Sequence, residues 1–259
     1  MAYAGEKIYL ENLLFLQKNS LISQSLKATK SSFATSGDGF GLAWYGGKKT
    51  PGLFKDVLPA WNDENLRQLS QHVKSGLFLA HVRASTGTGV SRANCHPFAC
   101  GKWSFMHNGQ IGNWSLLRRD IESMISRDYY NYRLGTTDSE ALFLLALSCG
   151  LEKDPVGGIK KAIEKIHILL EAYGATEPLR LSAALSDGKS IWAFRYSSDH
   201  QSPSLFYGTP DLHKKQGQSR MINTIASEPF DDDSEHWTSV GESKVILWKN
   251  KAVSVSSFI

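Results

Sequence analysis

The amino-acid sequence predicts an α+β fold in which strands and helices come in separate runs. Strand candidates cluster along the chain instead of alternating one for one with helices, which argues against a doubly wound parallel sheet. Ser186-Asp187-Gly188-Lys189 joins two of these candidates by a turn short enough for an antiparallel hairpin, with Asp-Gly expected to supply positive φ angles. The 259 residues, 41% of them hydrophobic, suffice for a large core that needs no disulfides. Neither an internal repeat nor a low-complexity linker divides the chain, so residues 1–259 are expected to form a single domain.

In chain order, Leu10, Leu13, Leu14 and Gln17 define the apolar face of a first short helix, and a strand rich in aromatic residues is expected over 40–45. Asp63 is suited to cap a second helix whose buried side is Leu66, Leu69 and Val73. Strands over 77–83 and 103–107 follow. A third helix runs from Ile111 through Trp114, Leu117, Ile121, Met124 and Ile125, and a fourth from Thr137 through Leu142 and Leu145. The fifth starts at Asp154-Pro155, a cap followed by proline at the first helical position, and continues through Ile159, Ile163, Ile166 and Leu170. The remaining strands are expected over 180–186, 190–196, 221–226 and 244–248.

A net charge of +4, mixed in sign along the chain, gives no reason to expect a nucleic-acid partner. Three cysteines form an odd, sparse set that suits a reducing compartment, so a cytoplasmic protein is expected. No signal peptide is visible at the amino end, and no apolar run approaches the roughly 18 residues that span a bilayer. A membrane partner is not expected either.

Three segments have the composition of a reactive site. In His81-Val82-Arg83-Ala84-Ser85-Thr86-Gly87, a strand ends in a loop of small polar residues, where an Arg can pair bidentately with a carboxylate and a Thr hydroxyl can add a hydrogen bond. A surface Arg beside a turn is the plainer reading. Trp103-Ser104-Phe105-Met106-His107-Asn108-Gly109-Gln110 is a strand ending in Asn-Gly, which is either a hairpin turn or a side-chain amide and a backbone N–H that donate together to an oxyanion. In Gly135-Thr136-Thr137-Asp138-Ser139-Glu140, Thr137 or Asp138 is placed to cap the fourth helix, and Asp138 is also placed to hold an ammonium group.

Together with Ser36-Gly37-Asp38-Gly39-Phe40-Gly41, Asn94-Cys95-His96-Pro97-Phe98, Ala226-Ser227-Glu228-Pro229 and Glu235-His236-Trp237, these segments resemble, in order and spacing, the glutaminase domain of class II glutamine amidotransferases. The likeness is strongest to small stand-alone members such as the ergothioneine-pathway γ-glutamyl amidohydrolase, and it covers nearly the whole chain. It implies a four-layer αββα sandwich, two antiparallel sheets between helical layers, of the N-terminal-nucleophile hydrolase type. It further implies that Arg83 and Thr86 hold the α-carboxylate of glutamine and Asp138 its α-ammonium, while Asn108 and the Gly109 N–H form the oxyanion hole. The substrate implied is glutamine or another γ-glutamyl compound, no metal or organic cofactor is implied, and a separate synthase is the partner that would receive ammonia.

The nucleophile of that family is a cysteine at residue one, whose own α-amine is basic enough near neutrality to assist the thiol. This chain begins Met1-Ala2-Tyr3-Ala4-Gly5, which matches the family's opening just after the cysteine. A start assigned a few residues late is therefore expected, with a non-catalytic γ-glutamyl-binding protein as the alternative, and the chain as numbered is expected to be inactive. Cys95, Cys100 and Cys149 are expected to be packing residues, not substitutes. His81, Cys95, His96, Cys100 and His107 also admit a zinc-site reading, although no second Cys pair follows. The basic loop 208–220 and the acidic run Asp231-Asp232-Asp233 are expected to be solvated surface, and Asp38 to orient either the amino-terminal strand or substrate, or only a turn.

Overall fold

The first strand, β1 (Ala2–Tyr9), is buried on both sides at its start, with Tyr3 turned one way and Ala2 and Ala4 the other. That alternation sets the layering of the molecule. The computed structural model describes residues 1–27, 35–85, 87–210 and 223–259. Among them, β1 joins β2 (Phe40–Trp44), β3 (Gly52–Asp56) and β4 (Lys74–Val82) in one sheet. The next four strands, β5 (Phe98–Cys100), β6 (Trp103–Gln110), β7 (Arg180–Ser186) and β8 (Ile191–Ser197), build a second sheet. The chain then returns to the first sheet with β9 (Phe206–Gly208), β10 (Thr224–Ala226) and β11 (Trp237–Ser239), and finishes the second with β12 (Lys244–Lys249) and β13 (Ala252–Ser257). The strand orders are β11-β9-β10-β1-β4-β2-β3 and β13-β12-β8-β7-β6-β5, antiparallel throughout.

Between the sheets lies a layer that mixes alanines with larger aliphatic side chains, with Ala2, Ala4, Ala43, Leu77 and Leu79 from the first facing Ala184, Ala193, Met106 and Ile246 from the second. Most of the buried aromatic residues point outward. Tyr3, Phe40 and Phe78 meet the helices α1 (Glu11–Leu14), α2 (Leu21–Leu26) and α3 (Glu64–His72), which cover the first sheet. Phe105, Leu181, Leu185 and Phe194 meet α4 (Trp114–Ser123), α5 (Arg127–Tyr130), α6 (Asp138–Ser148) and α7 (Pro155–Ala172) over the second. The result is the expected αββα sandwich. Helix α6 is buried on nearly all sides, as a helix without a polar stripe must be.

The caps fall where their residues predict. Asp63 accepts from the Leu66 N–H at 2.7 Å, Thr137 from Glu140 at 3.2 Å and Asp154 from Gly157 at 2.9 Å. Several expectations need correction. The first helix stops at Leu14, short of Gln17, and the third begins at Trp114 instead of Ile111. The strand expected over 221–226 is described from Thr224 onward, and positions 221 and 222 lie outside the described residues. Most of the basic loop 208–220 also lies outside them. In the β7–β8 hairpin only Gly188 has a positive φ, +85°, while Asp187 turns the chain by accepting from the Lys189 and Ser190 amides at 3.0 and 2.9 Å. Asp231 is not simple surface, since it accepts from the His236 ring at 2.9 Å and the Trp237 indole at 3.2 Å.

Tyr45, just beyond β2, crosses from one sheet to the other. Its hydroxyl lies 2.8 Å from the Lys102 carbonyl, 2.9 Å from the Ser104 hydroxyl and 3.1 Å from the Ser186 carbonyl, all in the second sheet's territory. Burial pushes the phenol up to about 12, so it stays a neutral donor. Tyr45→Phe leaves those buried groups short of a partner and should lower the unfolding free energy by about 1–3 kcal/mol. Urea titration checks this, and an unchanged midpoint would refute the bridging role.

Candidate active site

At one end of the sandwich the two sheets part around a cavity of about 830 Å³. Its walls are the end of β4 (His81, Val82, Arg83), the end of β6 (His107, Asn108, Gly109) and the start of α6 (Thr137, Asp138, Ser139), with Met1 between them. The residues singled out in the sequence, Arg83, Asn108, Gly109 and Asp138, thus share one space. Thr86 lies outside the described residues.

Asn108 and Gly109 are not in a turn. They sit within β6, opposite Ser182 and Leu181 of β7, so the hairpin alternative is excluded. The Asn108 side chain is exposed to the cavity and makes no hydrogen bond among the described residues. Gly109 has a φ of +146°, and a Cβ there would stand 2.0 Å from the Arg180 carbonyl oxygen and 2.6 Å from His107 Nε2. Only glycine lets the His107 ring reach over the strand to that carbonyl, at 3.0 Å.

Arg83, 4% exposed, is braced before any ligand arrives. Its guanidinium donates to the Asp38 carbonyl at 3.2 Å, the Ser85 hydroxyl at 3.0 Å and the Thr88 hydroxyl at 2.7 Å. Asp38 acts on this loop through its side chain as well, accepting from the Ser85 N–H at 2.7 Å. Across the cavity, Asp138 opens α6 and accepts from the Ile111 N–H at 2.8 Å and the Ser139 N–H at 2.7 Å. The carboxylate is therefore tied directly to the chain leaving β6. Glu140 does not complete a capping box with Thr137. Its side chain reaches back to the Leu134 and Gly135 amides, at 3.2 and 2.8 Å, and pairs with the buried Arg133 guanidinium at 2.8 Å.

A cavity that joins a guanidinium, a carboxylate and a free amide beside a glycine N–H on one strand has the polarity of a site for a zwitterionic amide. Residues 12–207 match the family of class II glutamine amidotransferases. The chain belongs to that family. It is 30% identical to a Saccharomyces cerevisiae protein described as a probable glutamine amidotransferase, DUG3, over 98% of this chain and 82% of that one. The solved structure of a glutamine aminotransferase class-II domain protein from Silicibacter pomeroyi is 38% identical and superposes with a TM-score of 0.77, covering 99% of this chain and 97% of that one. The glutamine phosphoribosylpyrophosphate amidotransferase from B. subtilis, at 16% identity, shares the fold with a TM-score of 0.64, covering 100% of this chain and 48% of its own.

The cavity walls also include three histidines that the sequence offered only as metal ligands. His81 and His96 pack against each other with ring centres 4.4 Å apart and planes tilted by 37°, and both line the cavity. His107 Nε2 donates to the Arg180 carbonyl, so its Nδ1 is left to accept from Ser139, 2.9 Å away. The cysteines do not join them. Cys95 is fully buried, with its thiol directed at the Asp56 and Ser91 carbonyls, and all three cysteines are free. Among the described residues no group of three or more His, Cys, Asp or Glu side chains is placed to hold a metal ion. Met1 was also missed as a site residue. Its α-amine donates to the Ala80 carbonyl at 2.7 Å, and burial pushes it down to about 5.

Burial holds all three histidines below their ordinary range, His81 at about 3. The unfolded chain, with histidines near 6.5, binds up to three more protons than the native protein once the pH drops below that value. Each ring's contribution is therefore full above pH 6.5 and falls on acidification, and the Met1 α-amine, held at about 5 against 8.0 in the unfolded chain, adds a loss of the same sign. The unfolding free energy at pH 5.5 should be lower than at pH 7.5, by about 1.4 kcal/mol for His81 alone. Denaturant titrations at the two pH values check this, and equal stabilities would show that the rings are not held neutral.

Proposed function

We propose that this protein is a single glutaminase domain that cleaves the side-chain amide of glutamine, or of a related γ-glutamyl compound, through a thiol borne on the amino-terminal side of Ala2. The observation that carries this is the one cavity lined by Arg83, Asp138, Asn108 and Gly109. A free amino acid presents a carboxylate and an ammonium group on one carbon, and Arg83 and Asp138 supply the opposite charges. Asn108 and the Gly109 N–H then lie on the strand where the amide oxygen would gather negative charge.

The register of β1 supports the position of the thiol. Met1 exchanges both backbone hydrogen bonds with Ala80, so the Val82 N–H and carbonyl two residues on point to the same side, along the cavity wall. A short extension of β1 would run there. Its thiol attacks the amide carbon while the α-amine of the same residue takes the S–H proton, the C–N bond breaks, and ammonia or an amine departs with that proton. Water then opens the γ-glutamyl thioester, releasing the acid and restoring the thiol. Ammonia goes to solvent or to a synthase on another chain. Three free thiols support a cytoplasmic setting.

Two outcomes test this. The chain beginning at Met1 should bind glutamine without turning it over, whereas a chain with Met-Cys a few residues ahead of Ala2 should release ammonia in a coupled glutamate dehydrogenase assay. Turnover by the Met1 chain would overturn the assignment of the thiol. Arg83→Lys and Asp138→Asn should each weaken glutamine binding by about tenfold or more, as expected for loss of a charge-assisted contact. Calorimetric titration reads the change, and unaltered affinity in either variant would remove that residue from the site.

A further inference from the structure

We propose that Asn94 is a positioning residue that sets the span between the two charged ends of the substrate site; this rests on the glutamine-binding reading above. Asn94 closes a three-residue 3-10 helix, Arg92–Asn94, and is only 3% exposed. Its carboxamide is shared between two loops that are remote in sequence. Nδ2 donates to the Gly89 carbonyl at 2.8 Å and to the Thr136 hydroxyl at 3.1 Å, while Oδ1 accepts from the Thr136 N–H at 2.8 Å.

Each anchor point lies beside one end of the site. Gly89 follows Thr88, whose hydroxyl and carbonyl take Arg83 Nη2 at 2.7 and 3.3 Å. Thr136 stands two residues ahead of Asp138, and its carbonyl accepts from the Trp114 indole at 3.3 Å. The loops also come close enough to exclude a side chain, since a Cβ at Gly135 would sit 2.6 Å from Asn94 Oδ1 and 2.7 Å from the Ala93 carbonyl. The carboxylate and the ammonium of an α-amino acid hang on one carbon, so their two contacts must keep a narrow spacing, and a misplacement near 1 Å can cost about 100-fold. A strut between these loops needs a donor pair and an acceptor on one planar group. Aspartate would keep the acceptor but turn an oxygen toward the Gly89 carbonyl.

The test uses three ligands with the chain as it stands: glutamine, glutaramate, which lacks the α-amine, and 4-aminobutanamide, which lacks the α-carboxylate. NMR titration reads affinities into the millimolar range. Asn94→Asp should weaken glutamine by about tenfold or more and each one-ended ligand by less than about threefold, because only a two-ended ligand depends on the span. Thr136→Val, at an exposed position, should give the same pattern with about a threefold loss for glutamine and guards against misfolding of the first variant. Equal weakening of all three ligands, or no change for glutamine, would overturn the role of Asn94. Arg83→Lys and Asp138→Asn serve as controls. If they too leave glutamine binding unchanged, the reading of the site fails and the strut with it; if they weaken it while Asn94→Asp does not, only the strut fails.

Discussion

Close packing of two sheets on an inner layer of alanines and aliphatic side chains is the constraint on which the rest of this structure depends. Ala2, Ala4, Ala43, Ala184 and Ala193 let the inner faces approach, while among the described residues every buried Phe, Tyr or Trp ring but that of Tyr45 belongs to the layers under the helices. Larger inner residues would force the sheets beyond the roughly 10 Å at which stacked sheets pack. Where this layer ends, past Leu79 on β4 and at Met106 on β6, the sheets part and the cavity begins. Its polar groups therefore sit on the ends of rigid strands and at the first residue of a buried helix, where a carboxylate such as that of Asp138 is also favoured by the helix dipole.

The longer helices were legible because their signals are local, whereas the short α2 and α5 were not. Asp154-Pro155, Asp63 and Thr137 each mark a helix start through a hydrogen bond made within three residues. β1 was not legible, since Ala2-Tyr3-Ala4-Gly5 is buried on both faces and shows no polar alternation, and β9 and β11 are three residues long. In the site, Arg83, Asn108 and Asp138 each carried an ordinary structural reading, and only their order along the chain set them apart. Asp138 turned out to serve its neighbours' amides while facing the cavity, so the two readings of that residue coexist.

Asn94 left no trace in the sequence beyond its place in a motif, because its partners are a carbonyl and an amide in two different loops, one of them 42 residues away. The same limit applies to Glu140, which spacing alone would assign to a capping box and which instead neutralises the buried Arg133 and holds the loop ahead of α6. Side-chain contacts to the backbone of irregular loops, near or far along the chain, have no periodic signature. Gly109 is readable only in part: Asn-Gly marks the position, but neither its φ of +146° within a strand nor the ring of His107 passing over it is foreseeable.

The buried, uncharged imidazoles have a chemical consequence for any thiol that reaches this cavity. A cysteine protease stores its sulfur as an ion pair with a protonated histidine. His81, His96 and His107 are too poorly hydrated to carry that charge at neutral pH. Under the proposed mechanism the sulfur must then rest in its protonated form and surrender its hydrogen only during attack, to a base carried on its own residue. Such an enzyme would hold little standing thiolate between turnovers, and so would resist alkylating and oxidising reagents better than an ion-paired cysteine does.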